Sequence, residues 1–175
     1  YPSNRWKLRD AVDFDFPTGT SIPAGGMLLV VSFDPATNAV ARAAFEAAYG
    51  LTETVPMVGP YSGKLDNSDE SVELYKPDTP EWVEDPSSSL VPYVLVEQVH
   101  YHDTLPWPQT ADGFGLSLTR INPGVFGNDA VNWIAAAPTP GPQFSPTASD
   151  QDGIPDDWEN ANGLDPNNPA HAGQD

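Results

Sequence analysis

An all-β body followed by a small acidic appendage is the fold class predicted here, on three observations. Val12-Asp13-Phe14-Asp15-Phe16 alternates apolar with acidic residues at the two-residue period of a half-buried strand. Twenty prolines and fourteen glycines in 175 residues cut the chain into short pieces, which favours strands joined by turns over long helices. From Pro138 to Thr147 the chain then becomes proline-rich, with Gly141 among the prolines, as a linker does. Acidic residues at cation-ligand spacing follow it.

Taken in order, the first strand places Val12, Phe14 and Phe16 on a buried face and Asp13 and Asp15 in water. Pro17-Thr18-Gly19-Thr20 and Pro23-Ala24-Gly25-Gly26 are turn chemistry, and the apolar run Met27 to Phe33 has the length of a central strand. Asn38 to Tyr49 reads as the one helix of the body, Ala-rich, with Asn38 as N-cap and Gly50 just past the end. Tyr61 to Leu65 and Ser71 to Tyr75 flank the polar segment 66–70 and read as a hairpin. Glu81 to Leu90 reads as a loop. Pro92 to Tyr101 is a strand with Tyr93, Leu95, Val99 and Tyr101 in phase, and Leu116-Ser117-Leu118 resumes the pattern after a turn at Asp112-Gly113.

Charge narrows the partners. With 25 acidic against 7 basic residues the net charge is −18, which repels nucleic acid and anionic lipid and attracts multivalent cations. No cysteine is present, so disulfides, thiol catalysis and thiolate metal sites are excluded. The longest apolar stretch, Met27-Leu28-Leu29-Val30-Val31, is far too short to cross a bilayer, so no membrane insertion is expected.

The run Asp150-Gln151-Asp152-Gly153-Ile154-Pro155-Asp156-Asp157-Trp158-Glu159 fits a calcium loop of EF-hand type. With Gly153 at the sixth position, where the loop turns sharply, Asp150, Asp152, Asp156 and Glu159 fall at positions three, five, nine and twelve. Ile154 at position seven supplies a backbone carbonyl. Position one is Ala148, so the usual first aspartate is missing. Pro155 suits the first turn of a helix, Asp156, Asp157 and Glu159 suit its N-terminal end, and Gly163 suits its C-terminal cap. The competing reading is a solvated turn before a short helix; position-specific ligand spacing favours Ca2+ over it.

Other constellations are weaker. His100 and His102, two apart on a strand, point the same way, but they share a face with Gln98 opposite Val99 and Tyr101, with no third ligand in the local sequence. They read as ordinary residues of a solvent face, dispensable for the fold. Asp112-Gly113-Phe114-Gly115 lacks the strand-then-helix context of a phosphate loop and reads as a turn. Trp6, Trp107 and Trp133 are expected to pack in the core, Trp82 to offer an exposed contact, and Trp158 to anchor the calcium helix. Neither Gly-x-Ser-x-Gly nor His-Glu-x-x-His occurs, and no serine has a base in evident reach. No enzymatic activity is expected.

A set of strings also resembles the bacterial lamin-tail domain. They are Trp6-Lys7-Leu8, Phe-Pro-x-Gly-Thr at Phe16 to Thr20, Ile22-Pro23-Ala24-Gly25-Gly26, Leu65-Asp66-Asn67-Ser68, Trp107-Pro108, Ala111 to Leu118, and Asn132-Trp133 before Pro138-Thr139-Pro140-Gly141. They occur in the family's order over roughly residues 5–142. The resemblance implies an immunoglobulin-like β-sandwich. The family's strands upstream of Trp-x-Leu do not occur, so an N-terminally truncated sandwich with one open edge is expected, prone to oligomerise. Asn162-Gly163-Leu164-Asp165-Pro166-Asn167-Asn168-Pro169 is similar to the thrombospondin type 3-like acidic repeats that follow such domains.

The expected organisation is a lamin-tail-like sandwich at 1–142, a linker at 143–147 and a calcium-binding repeat at 148–175. The expected function is a non-catalytic structural, adhesion or spacer module of a larger secreted or cell-surface bacterial protein. Its partners would be neighbouring domains of the same polypeptide, other surface proteins or glycans. The alternative is a carbohydrate-binding accessory domain beside an extracellular enzyme. An extracellular setting fits because weak calcium sites fill only where calcium is abundant.

Overall fold

The computed structural model describes residues 4–23, 26–51, 55–79, 81–82, 89–141, 165 and 167–168. Within them the chain is mostly strands in antiparallel sheets, with one α-helix. The 143–147 linker and the loop with Asp150, Asp152, Ile154, Asp156 and Glu159 lie outside the described residues.

Strands β1 (Lys7–Asp10) and β2 (Val12–Asp15) form a hairpin with Leu8 opposite Phe14. The alternation holds as expected: Val12 and Phe14 are buried, and Asp13 and Asp15 are exposed. At the tip Asp10 takes a left-handed φ of 81°, a conformation that a short polar side chain tolerates. Ala11 beside it is buried and gripped from both sides, its N–H donating to Ser71 O at 2.9 Å and its carbonyl accepting from Lys64 N at 3.0 Å.

After β3 (Leu29–Val30) comes α1 (Ala39–Ala48), capped as expected by Asn38, whose side-chain oxygen accepts from Ala41 N at 3.0 Å. β4 (Met57–Val58) then pairs with β3 in parallel. The Met27 to Phe33 run is therefore not a central strand. Only two of its residues join a ladder, because a parallel pair needs a crossover and α1 supplies it, with Phe33 and Phe45 packing ring to ring at 5.9 Å.

β5 (Ser62–Gly63) pairs with β2, while β6 (Asp69–Pro77) lies between β1 and β9 (Tyr93–His102) in a five-stranded sheet of order β5-β2-β1-β6-β9. The expected hairpin of Tyr61–Leu65 with Ser71–Tyr75 does not form, because the chain passes around the tip of the β1–β2 hairpin and rejoins the sheet with β2 and β1 lying between β5 and β6. The expected loop at Glu81 to Leu90 is closed at its base by β7 (Glu81–Trp82) pairing with β8 (Ser89–Leu90).

β9 also departs from expectation. Leu74 stands opposite Glu97 and Tyr75 opposite Leu95, so Val96 is an extra residue in the strand. Such a bulge reverses the phase on either side of it. Leu95 therefore sits opposite Tyr75, on the face of His100 and His102, whereas Val99 sits opposite Val72 on the other face.

That second face looks onto the pair β10 (Ser117–Arg120) and β11 (Trp133–Ala136) across a cavity of about 460 Å³ walled by Val72, Val99, Tyr101, Leu118 and Trp133. Trp107 is 4 % exposed, with its ring centroid 6.1 Å from that of Trp133. Asn132, equally buried, exchanges two hydrogen bonds of 3.0 Å with the backbone of Asn122, and the Trp133 indole N–H donates to Gly127 O at 2.7 Å. Core packing is thus found for Trp107 and, half-buried, for Trp133. Trp6 is exposed instead: its carbonyl accepts from Phe16 N at the open end of the β1–β2 hairpin, and among the described residues its side chain is left largely to solvent.

Candidate metal centre

Two histidines of β9 meet one carboxylate of β6 across the ladder. The antiparallel register sets Asp69 opposite His102, Ser71 opposite His100 and Glu73 opposite Gln98, and the two-residue period sends all six side chains to one face. His100 Nε2 lies 3.2 Å from Asp69 Oδ1, and His102 Nδ1 lies 3.6 Å from Asp69 Oδ2. The two rings stand edge to face with centroids 4.6 Å apart. One donor atom from each of the three residues falls within 4.8 Å of the others.

Beneath them Ser71 is buried, and its hydroxyl lies 2.6 Å from His100 Nδ1. The backbone of the same histidine is held from outside the sheet, His100 N–H donating to Asn128 Oδ1 at 2.6 Å. The pair therefore does face outward with Gln98, as its phase predicts. A third donor nonetheless exists. It comes from the neighbouring strand, in the segment that reads locally as a polar turn, so only the β6–β9 register could have disclosed it.

Just behind this cluster, Tyr101 O–H donates to Asp66 O at 2.6 Å. Burial, with the negative charges of Glu70, Asp66 and Asp69, pushes the phenol up to about 12 from an ordinary value near 10. A raised folded-state value means that Tyr101 contributes stability fully present below about 10 and lost as pH rises toward about 12. Alkaline unfolding followed by tyrosinate absorbance should accordingly start later in pH for Tyr101→Phe than for the parent. Coincident profiles would count against it.

The remaining sequence candidates are quickly placed. Gly113 and Gly115 have left-handed φ of 75° and 77° in an exposed bend, so Asp112-Gly113-Phe114-Gly115 is a turn, as expected. The calcium ligands Asp150, Asp152, Ile154, Asp156 and Glu159 belong to the undescribed stretch; near it, Asn168 N–H donates to Asp165 O at 3.0 Å. No helix among the described residues is long and apolar enough to cross a membrane. No family model, curated protein or solved structure matches the chain.

Proposed function

We propose that the chain is a non-catalytic module of a secreted or cell-surface polypeptide: an immunoglobulin-like β-sandwich of lamin-tail type joined to a thrombospondin type 3-like calcium repeat. The observation that carries this reading is the ligand spacing of Asp150, Asp152, Asp156 and Glu159 about Gly153. An all-β body with tryptophan packing beside two sheets is consistent with the sandwich. Four carboxylates gathered in one short loop repel one another until a cation neutralises them, so metal uptake and local folding are one event. The module then serves as a calcium-stiffened spacer or adhesion unit between its neighbours.

Calorimetry of the chain with calcium tests this. One ion should bind with a Kd on the order of 10⁻⁴ to 10⁻³ M, as in extracellular modules, because Ala148 leaves one anionic ligand absent. Glu159→Gln should weaken binding more than Asp150→Asn, since position twelve is usually bidentate and ties the loop to its helix. No uptake at several millimolar calcium would end the reading.

A further inference from the structure

We propose that Asp69, His100 and His102 form a binding site for a divalent transition metal, zinc above all, separate from the acidic loop. Donor chemistry selects the class of ion. Two imidazole nitrogens and one carboxylate oxygen suit zinc and its neighbours, whereas calcium and magnesium take oxygen almost exclusively. The acidic loop and this cluster therefore sort the two kinds of cation between them.

Geometry agrees with that choice. Four ligands at zinc's bond lengths of about 2.0–2.1 Å lie about 3.4 Å apart along the edges of the tetrahedron. Asp69 Oδ1 already stands 3.2 Å from His100 Nε2 and its Oδ2 3.6 Å from His102 Nδ1, and one donor atom from each of the three residues falls within 4.8 Å of the others. Rotation of exposed side chains closes the wider separation within the cluster. At 55, 43 and 37 % exposure, Asp69, His100 and His102 leave the remaining coordination positions to water, so the ion exchanges freely with solvent.

Ser71 is the positioning residue. Its buried hydroxyl lies 2.6 Å from His100 Nδ1, so that when a metal takes Nε2 the Nδ1–H can donate to Ser71 Oγ and the ring is held in the metal-binding tautomer. Paired strands fix the rest, since β6 carries Asp69 and Ser71 at one end of a nine-pair ladder with β9, and Ser71 O is held from the other side by Ala11 N–H at 2.9 Å. A net charge of −18 adds a long-range attraction for any cation approaching the face.

The test is calorimetric titration of the full chain with zinc in several millimolar calcium, which occupies the acidic loop, together with histidine ring NMR. One saturable equivalent should bind, moving the ring resonances of His100 and His102 and not those of His171. Asp69→Asn and His102→Gln, chosen to keep volume and polarity, should each abolish the saturable phase. Ser71→Ala should weaken it by about 10–100-fold, the usual loss when a partner that orients a ligand is removed. Circular dichroism establishes that each variant is folded, and His100→Gln provides an independent ligand deletion if one is not. Zinc binding that survives both Asp69→Asn and His102→Gln, binding that disappears in His171→Ala, or no saturable phase in the parent would each overturn the proposal.

Discussion

Trp107→Ala should lower the stability of the β body by about 3–5 kcal/mol, the range for removing a buried aromatic side chain. At 4 % exposure it is among the most deeply buried of the described residues, and its ring packs at 6.1 Å from Trp133 beside the β10–β11 pair. Its backbone N–H is fixed to Thr104 O at 3.0 Å, so the main chain is tied in place and cannot easily collapse into the space an alanine leaves. Trp6→Ala is the matched control. Trp6 is 43 % exposed, and loss of its side chain should move the urea midpoint far less. Similar midpoints for the two variants would show that the core has been placed wrongly.

Gly63→Ala should be nearly as damaging, by about 2–4 kcal/mol, for two reasons that add. Gly63 has a φ of 94°, and a Cβ there would run into the carbonyl oxygen of Ala11, a backbone atom that cannot rotate away. That carbonyl already accepts from Lys64 N, so displacing it breaks the grip on the hairpin tip. Gly113→Ala separates the two effects: its φ is also left-handed, at 75°, but no atom lies within 4 Å of the added Cβ. It should cost only the conformational strain, about 1–2 kcal/mol. Equal denaturant midpoints for both alanine variants would remove the steric part of the argument.

What could be read in the sequence was local. The alternation through Val12 and Phe14 and the Asn38 cap with its helix depend on neighbours a few residues away, and both are found. Strand partners were another matter. Alternation in Ser71 to Tyr75 says that one face is apolar but not which strand lies alongside, and the partner of β5 is decided by the close approach that Gly63 permits at Ala11. The Met27 to Phe33 run carries no period to reveal that it meets only Met57–Val58, across a helix. The bulge at Val96 has no local signature, because one inserted residue in β9 leaves composition unchanged while inverting the faces on either side. Asp69 was hidden in the same way, since its proximity to His100 and His102 exists only once β6 and β9 are aligned.

The bulge at Val96 bears on how the chain behaves at high concentration. β9 ends the order of the five-stranded sheet, and Val94, Leu95 and Val96 are all exposed there. A straight apolar strand in that position would be a template for stacking one molecule against the next. Here the inserted residue bends and twists the strand beside those three side chains, and farther along the Asn128 side chain occupies the outward N–H of His100. An incoming strand therefore meets a bent edge on which the outward N–H of His100 is already taken, so the backbone of β9 itself works against edge-to-edge pairing where its exposed apolar side chains would invite it.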